Sequence, residues 1–225
     1  MHACAPPPFA ADALRSDDSR WRAHDLLRLA RLPFDAQAPD WLHDAFVRVP
    51  FAVVRRAKSA GGFVAIGVRG ASRAQRFGTW AATSDIDAAF SPEDLAACEP
   101  LDSRRALPAF AALKLLRDTR SALHDFAWGP TGSTGFELAT RSATVSDSSD
   151  LDLLIRTPER CDAATIRALA DALAHASSCA RARIDAQLET PVGGVALAEL
   201  AAGNARVLAR AADGARLVTD PWHPA

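Results

Sequence analysis

Two aspartates, Asp150 and Asp152, stand at the head of the apolar run Leu153-Leu154-Ile155. If that run is a β-strand, residues two apart project from the same face, so the two carboxylates lie together while Leu151 points into a core. Neighbouring carboxylates repel each other unless a cation, a proton or hydrogen-bond donors offset their charge. Mg²⁺ with oxygen ligands is the usual solution in proteins, so this pair predicts a divalent-metal site.

Two further features support that interpretation. Upstream, Gly132-Ser133 is predicted to form a turn whose backbone N–H groups and hydroxyl suit phosphate oxygens. Downstream, Asp185 lies in the segment 181–190, where apolar and polar residues alternate as in a half-buried strand. An Asp-x-Asp by itself is a weak signal, because aspartates are common in loops and at strand ends. Three carboxylates opposite a phosphate-binding turn predict phosphoryl or nucleotidyl transfer.

The composition is that of an ordinary globular protein and argues against several other classes. The chain has 225 residues, 49% of them hydrophobic and 24% charged, with a formal net charge of −1. There is therefore no overall basic excess to attract nucleic acid. No apolar run is long enough to span a bilayer, residues 1–9 lack the pattern of a secretory signal, and the cysteines show no zinc-ligand spacing. We expect a cytoplasmic protein without nucleic-acid or membrane partners.

The pattern along the chain predicts an α+β protein with two modules. We expect residues 1–10 to be a disordered lead-in, residues 11–103 a small N-terminal α+β domain, and residues 104–225 the catalytic domain. Helices are predicted at 20–32, 40–47, 107–123, 157–175 and 195–202. Strands are predicted at 51–57, 63–69, 150–155, 181–190, 206–209 and 216–218.

Residues 126–155 and 180–190 resemble the nucleotidyltransferase superfamily typified by DNA polymerase β. Its pattern is Gly-Ser after an apolar residue, a variable gap, Asp-x-Asp before apolar residues, and a lone acid on a later strand. The matching residues are Gly132, Ser133, Asp150, Asp152 and Asp185. The gap from Ser133 to Asp150 is 17 residues, somewhat long for the superfamily. The resemblance implies a nucleotidyltransferase-like mixed sheet with helices, preceded by the smaller α+β module.

A narrower resemblance covers nearly the whole chain. The segments that carry it are Trp128–Ser133, Gly135–Thr140, Ser149–Leu154 and Asp185–Pro191, with shorter matches at His24–Leu27, Val68–Phe77 and Asp220–Trp222. They are similar to malonate decarboxylase holo-[acyl-carrier-protein] synthase, a family also called phosphoribosyl-dephospho-CoA transferase. One departure is Arg141, at a position where the family pattern has glycine. That change affects a turn and leaves the carboxylates untouched.

The narrower resemblance implies a defined reaction. The donor is 2′-(5″-triphosphoribosyl)-3′-dephospho-CoA, the acceptor is a serine on the acyl-carrier subunit of malonate decarboxylase, and pyrophosphate is the second product. Asp150 and Asp152 would hold two Mg²⁺ ions on the triphosphate. Asp185 would share one metal and orient or deprotonate the serine, and Gly132 with Ser133 would bind the leaving phosphates.

Several arginines are candidates for binding the substrates. Arg69, Arg73 and Arg76 form a basic cluster after a predicted strand, which is either a solvated face or a contact to a CoA phosphate or an acidic carrier. Arg183 shares the face of Asp185 and either reaches the triphosphate or neutralises the acids. Three alternatives stay open: an adenylyl- or nucleotidyltransferase with another substrate, the equivalent transferase for the citrate lyase carrier, and a non-catalytic nucleotide-binding or scaffold module.

Overall fold

The computed structural model describes residues 3–9, 20–32, 38–72 and 74–223. By their internal contacts the residues divide into two units, Met1–Ser91 and Pro92–Ala225. This division lies a short way before the boundary at 103/104 that the sequence pattern suggested. Each unit combines one sheet with helices, so the expected α+β class with an N-terminal module and a C-terminal domain is confirmed.

The N-terminal unit is built on a six-stranded sheet in the order β1-β5-β4-β3-β2-β6. Its strands are β1 (Ala3–Cys4), β2 (Leu26–Leu29), β3 (Phe51–Val54), β4 (Phe63–Arg69), β5 (Arg76–Ala82) and β6 (Ile86–Phe90). Only the β1–β5 pair is parallel among the described strands of this sheet. The helix α1 (Trp41–Arg48) buries Leu42 and Ala45, and Leu42 joins the core formed by the sheet residues Leu27, Ile66 and Ala81.

Two segments of this unit differ from the expected structure. Leu26–Leu29 is a strand and not part of a helix over 20–32, because a turn closed by Arg22 and Asp25 precedes it and both of its edges are paired, with β3 and with β6. Leu26 and Leu27 are buried although they are adjacent, and Leu29 is buried too, so these leucines mimic the apolar spacing of a helix. Ala3–Cys4 pairs with β5 within the expected lead-in, and Ala5 is buried beside it.

The C-terminal unit is built on a second six-stranded sheet in the order β12-β11-β10-β9-β8-β7. Its strands are β7 (Trp128–Pro130), β8 (Leu151–Arg156), β9 (Ile184–Thr190), β10 (Gly193–Ala196), β11 (Val207–Ala211) and β12 (Gly214–Val218). The β8–β9 pair is parallel and the other described pairs are antiparallel. A parallel pair requires a crossover, which a long helix supplies here.

The helices of this unit are α2 (Pro92–Ala96), α3 (Pro108–Asp118), α4 (Gly132–Thr140), α5 (Ala163–Ala180) and α6 (Leu197–Ala201). The crossover helix α5 begins after Asp162, whose side chain accepts a hydrogen bond from Thr165 N at 2.7 Å. It packs against α3. The largest fully buried side chains of the unit come from α2, α3, α5 and β8 and from the turn before β7. In the part of the chain that the structure describes, no helix combines the length and apolar character needed to cross a membrane.

Candidate active site

The parallel pairing of β8 and β9 places two of the predicted acids side by side. Asp152 is directly opposite Asp185, with Leu151 opposite Ile184 and Leu153 opposite Ala186. Paired residues of neighbouring strands project from the same face of a sheet. Asp152 and Asp185 are half-buried on one face, while Leu151 and Leu153 are buried on the other. Asp150, also half-buried, directly precedes β8 and is two residues before Asp152.

The glycine-serine pair lies against this carboxylate face, although in a different conformation from the expected one. Gly132-Ser133 is the first turn of helix α4 and not a loop. Gly132 has φ +58°, and a Cβ at that position would overlap Asp152 Oδ2. Thr131, which precedes the helix, donates its backbone N–H to Asp152 O at 2.8 Å. The start of α4 is therefore in direct contact with the Asp152 carboxylate. Only glycine fits at position 132, because it has no Cβ to overlap with this carboxylate.

The start of α4 is suited to bind an anion. Within the described part of the chain, Thr131 makes no side-chain capping bond to the helix, so its side chain does not occupy the first-turn N–H groups. The partial positive charge of a helix N-terminus attracts carboxylates and phosphates. Ser133 is half-buried in this first turn, and its hydroxyl adds a donor of the kind that phosphate oxygens accept.

Asp185 forms an ion pair with Arg183 on the same strand face. Arg183 Nε is 3.1 Å from Asp185 Oδ1, and Arg183 Nη2 is 2.9 Å from Asp185 Oδ2. Across residues 3–9, 20–32, 38–72 and 74–223, no group of three or more His, Cys, Asp or Glu side chains is arranged to hold a metal ion. The backbone thus brings the acids to one face, while the carboxylate of Asp185 is engaged by Arg183.

Two members of the predicted arginine cluster come together in the N-terminal unit. Arg69 ends β4 and Arg76 begins β5, and they are register partners in this antiparallel pair. Gly70 N donates to Gln75 O at 2.8 Å and closes the connection between the strands. Arg73, the third member, lies outside the described residues. The pairing places Arg69 and Arg76 next to each other at one end of this hairpin.

Comparison with known proteins identifies the family of the chain. The model of the phosphoribosyl-dephospho-CoA transferase MdcG C-terminal domain matches residues 94–221. The model of the MdcG N-terminal domain matches residues 22–92. The chain belongs to the phosphoribosyl-dephospho-CoA transferase family. It is therefore an enzyme, a transferase, and the two family models meet where the chain divides into its two units.

Curated members of the phosphoribosyl-dephospho-CoA transferase family resemble the chain over most of its length. The protein from Pseudomonas putida strain W619 is 43% identical over 205 residues, 89% of this chain and 94% of that protein. The protein from Pseudomonas fluorescens strain Pf-5 is 43% identical, over 91% of this chain and 95% of its own length. That from Pseudomonas aeruginosa PAO1 is 44% identical, over 88% and 92%. No solved structure matches the chain.

The structure adds an arginine that sequence reasoning missed and gives Glu137 a definite role. Arg104 Nε donates to Glu137 Oε1 at 2.7 Å, and Arg104 Nη2 donates to Glu137 Oε2 at 2.9 Å. Only 5% of the Glu137 side chain is exposed. The two residues are 33 positions apart, so no local pattern links them. We call this pair, with the backbone groups of residues 144–145 that it binds, the Arg104–Glu137 clasp.

The clasp changes the ionisation of Glu137. Burial raises the pKa of this carboxyl, but hydrogen bonds from Arg104 and from the backbone N–H groups of Val145 and Thr144 outweigh burial, so the pKa lies below its ordinary value of 4.5. A carboxyl whose pKa is lower in the folded than in the unfolded protein contributes its full stabilisation at pH values above the ordinary pKa. This contribution is lost as the pH falls through the lowered pKa of the folded state.

We therefore expect the stability lost in Glu137→Gln to depend on pH. Near neutral pH the variant should unfold with a free energy about 3 kcal/mol lower than that of the parent protein, since it breaks a buried pair. The difference should shrink as the pH falls below 4.5, the ordinary pKa of the carboxyl. Urea unfolding of both proteins across this range measures it. A difference that stays constant down to pH 3 would show that the charge of Glu137 contributes nothing.

A second prediction concerns the Arg183–Asp185 pair. Arg183→Gln removes the guanidinium that engages Asp185, so the carboxylate becomes available to a cation. We expect the affinity of the substrate-free protein for Mg²⁺ to rise several-fold, measured by titration calorimetry with the metal alone. Arg206→Gln removes an exposed arginine that pairs with no carboxylate among the described residues, and it is the matched control. Equal affinities in the two variants would show that Arg183 does not restrain Asp185.

Proposed function

We propose that the chain transfers the phosphoribosyl-dephospho-CoA group of 2′-(5″-triphosphoribosyl)-3′-dephospho-CoA to a serine of the acyl-carrier subunit of malonate decarboxylase. The observation that carries the proposal is the register of Asp152 opposite Asp185, beside the first turn of α4. The names of the relatives support the transferred group, since each is called a phosphoribosyl-dephospho-CoA transferase. The carrier and the release of pyrophosphate are our proposals.

The proposed chemistry is a displacement at the α-phosphorus of the triphosphate. The serine oxygen forms a bond to this phosphorus, and the bond from the phosphorus to the oxygen that bridges the α- and β-phosphates breaks. The bridging oxygen and its electron pair leave with pyrophosphate, and the serine proton passes to a carboxylate or to water. We assign the orientation of the serine, or its deprotonation, to Asp185.

We propose Mg²⁺ as the cofactor, held by Asp150, Asp152 and Asp185 in a two-metal site. Three carboxylates at neighbouring backbone positions are the hard oxygen donors that this ion prefers. When bound, the metal would neutralise charge on the triphosphate and on the leaving pyrophosphate. Asp185 must exchange its contact with Arg183 for the metal, and the released guanidinium is then free to bind a phosphate oxygen.

We assign the remaining substrate contacts to two groups of residues. Gly132 and Ser133, at the start of α4, would bind the leaving phosphates through the backbone N–H groups and the hydroxyl. Arg69, Arg73 and Arg76 would contact a phosphate of the CoA part or acidic side chains of the carrier. Kinetics of Arg76→Gln separate these two partners, because a loss confined to the KM of the donor assigns the arginine to CoA and a loss confined to the KM of the carrier assigns it to the protein.

The transfer assay tests the proposal directly. The protein is incubated with Mg²⁺, apo-carrier and the triphosphoribosyl donor, and the intact mass of the carrier is measured. We expect an increase equal to the phosphoribosyl-dephospho-CoA group on the malonate decarboxylase carrier and a slower reaction with the citrate lyase carrier. Faster modification of the citrate lyase carrier would correct the partner. Modification by ATP alone, with addition of adenylate, would replace the proposed donor.

A further inference from the structure

The segment between α4 and β8 is the longest irregular stretch next to the carboxylate face. It runs from Arg141, which ends α4 with φ +60°, to Asp150. These residues occupy most of the long gap between Ser133 and Asp150. An irregular segment is ordered only where specific contacts compensate for the conformational entropy it loses. The contacts of this segment therefore decide how firmly Asp150 is placed.

The Arg104–Glu137 clasp supplies those contacts in the middle of the segment. Glu137 Oε2 accepts the backbone N–H groups of Thr144 and Val145, both at 2.7 Å. Arg104 Nη2 donates to Val145 O at 2.6 Å, so the pair binds the backbone on both its donor and acceptor sides. Val145 is 5% exposed, which excludes water from competing for these bonds.

The same segment is linked to the candidate active site on each side of Val145. On one side, Thr144 Oγ1 donates to Ser133 O at 3.0 Å, which joins the segment to the first turn of α4. On the other side, Ser149 N donates to Ser146 O at 3.0 Å and Ser146 N donates to Ser149 Oγ at 2.9 Å. This closed turn leads directly into Asp150. The clasp thus lies between the predicted phosphate-binding turn and the first carboxylate.

A buried ion pair is a poor means of increasing stability, because the loss of hydration offsets much of the attraction between the charges. What such a pair provides is a single geometry, since a planar guanidinium fork and a carboxylate match in one arrangement. Glu137 uses that arrangement to hold two backbone N–H groups at the same time. The contacts of Glu137 are therefore arranged to hold a segment of backbone in place.

We propose that Glu137 and Arg104 are positioning residues for the transfer reaction: they hold residues 144–145 so that Asp150 and Ser133 keep the spacing that the triphosphate and its metal require. The proposal rests on the proposed function. Neither residue touches the reacting atoms; both act through the segment that they bind. Small displacements of catalytic groups lower kcat strongly, whereas substrate contacts elsewhere keep KM nearly constant.

Glu137→Gln is the main test. The glutamine amide keeps one acceptor oxygen and places an NH2 group at the other position, so either Arg104 or the backbone N–H groups of residues 144–145 lose an acceptor. We expect kcat for transfer to fall about 10- to 100-fold, as for residues that orient metal ligands, with the KM of the carrier unchanged. Glu99→Gln is the matched control, since Glu99 also pairs with an arginine, Arg117, but at the surface. Its kcat should equal that of the parent protein.

Amide hydrogen exchange reports whether the clasp holds the segment, and the fall in kcat at an unchanged KM reports whether that placement serves the reaction. In Glu137→Gln, exchange at residues 144–150 should accelerate while α3 and α5 keep their protection. If this variant does not fold, Arg104→Lys is the second test. It keeps the positive charge but lacks the two parallel N–H donors of the guanidinium, so it should show the same local acceleration of exchange with a several-fold loss of kcat. Unchanged exchange at 144–150, or a parent-like kcat in a folded variant with accelerated exchange, would overturn the proposal.

These outcomes are separate from a failure of the proposed function. If the parent protein does not modify any carrier, the transfer reaction is wrong, and the exchange measurement, which needs no substrate, still reports on the clasp. Binding of inorganic triphosphate with Mg²⁺ is the second substrate-independent readout, and it should weaken in Glu137→Gln but not in Glu99→Gln. Equal binding in both variants would contradict a role in positioning the site.

Discussion

Asp152→Asn is expected to reduce transfer to the carrier by about 1,000-fold or more while leaving the fold intact. Asparagine keeps the shape of the side chain but removes the negative charge that would hold the metal on the triphosphate. Asp152 lies opposite Asp185 and against Gly132, so its carboxylate is at the centre of the proposed site. Asp150→Asn should have a similar effect, because the same metal site would lose another ligand.

The measurement is the rate of mass increase of the carrier, with circular dichroism and thermal unfolding as checks on the fold. Asp171→Asn, at an exposed position on α5, is the control for removal of one negative charge from the same unit. It should react at the parent rate. Transfer by Asp150→Asn or Asp152→Asn at close to the parent rate would show that these carboxylates do not carry the chemistry.

Gly132→Ala is expected to lower transfer by about 100-fold, because it displaces Asp152. The added Cβ would overlap Asp152 Oδ2, so either the carboxylate or the first turn of α4 must move. The left-handed backbone at φ +58° adds strain of about 1–2 kcal/mol for a residue with a side chain. The substitution therefore combines a general backbone cost with a local displacement at the proposed site.

Gly203→Ala separates these two effects. Gly203 has φ +69°, close to that of Gly132, but nothing lies within 4 Å of a Cβ at this position. The control should show a similar backbone cost in unfolding and a parent-like rate of transfer. If Gly203→Ala and Gly132→Ala lost activity equally, backbone strain and not the contact with Asp152 would explain the loss.

The parts of the fold that were predictable are those whose patterns are local. The alternation over 181–190 identified β9 and its polar face, because a half-buried strand exposes every second residue. Helix α1 and the strands β3 and β4 were also located from local sequence patterns, and the structure confirms them with small differences in length. The carboxylate pair was visible because aspartates at the head of an apolar strand are unusual.

The parts that were not predictable depend on tertiary contacts. Thr157 was expected to open helix α5, but its N–H and its hydroxyl both donate to Glu189 O, so it is tied to β9 and the helix begins after Asp162. The Arg104–Glu137 clasp joins residues with no shared local pattern. Gly132-Ser133 was interpreted as a turn because both residue types favour turns, whereas here they begin a helix.

A donor labelled separately at its α- and γ-phosphates gives the most direct test of the central proposal, that the carboxylate face transfers the phosphoribosyl-dephospho-CoA group to a carrier serine. In a single turnover with Mg²⁺ and apo-carrier, we predict that the α-label becomes bound to the carrier serine and the γ-label appears in pyrophosphate, in equal amounts. Appearance of the α-label in a soluble product and not on the carrier, or labelled carrier without an equal amount of pyrophosphate, would contradict the account.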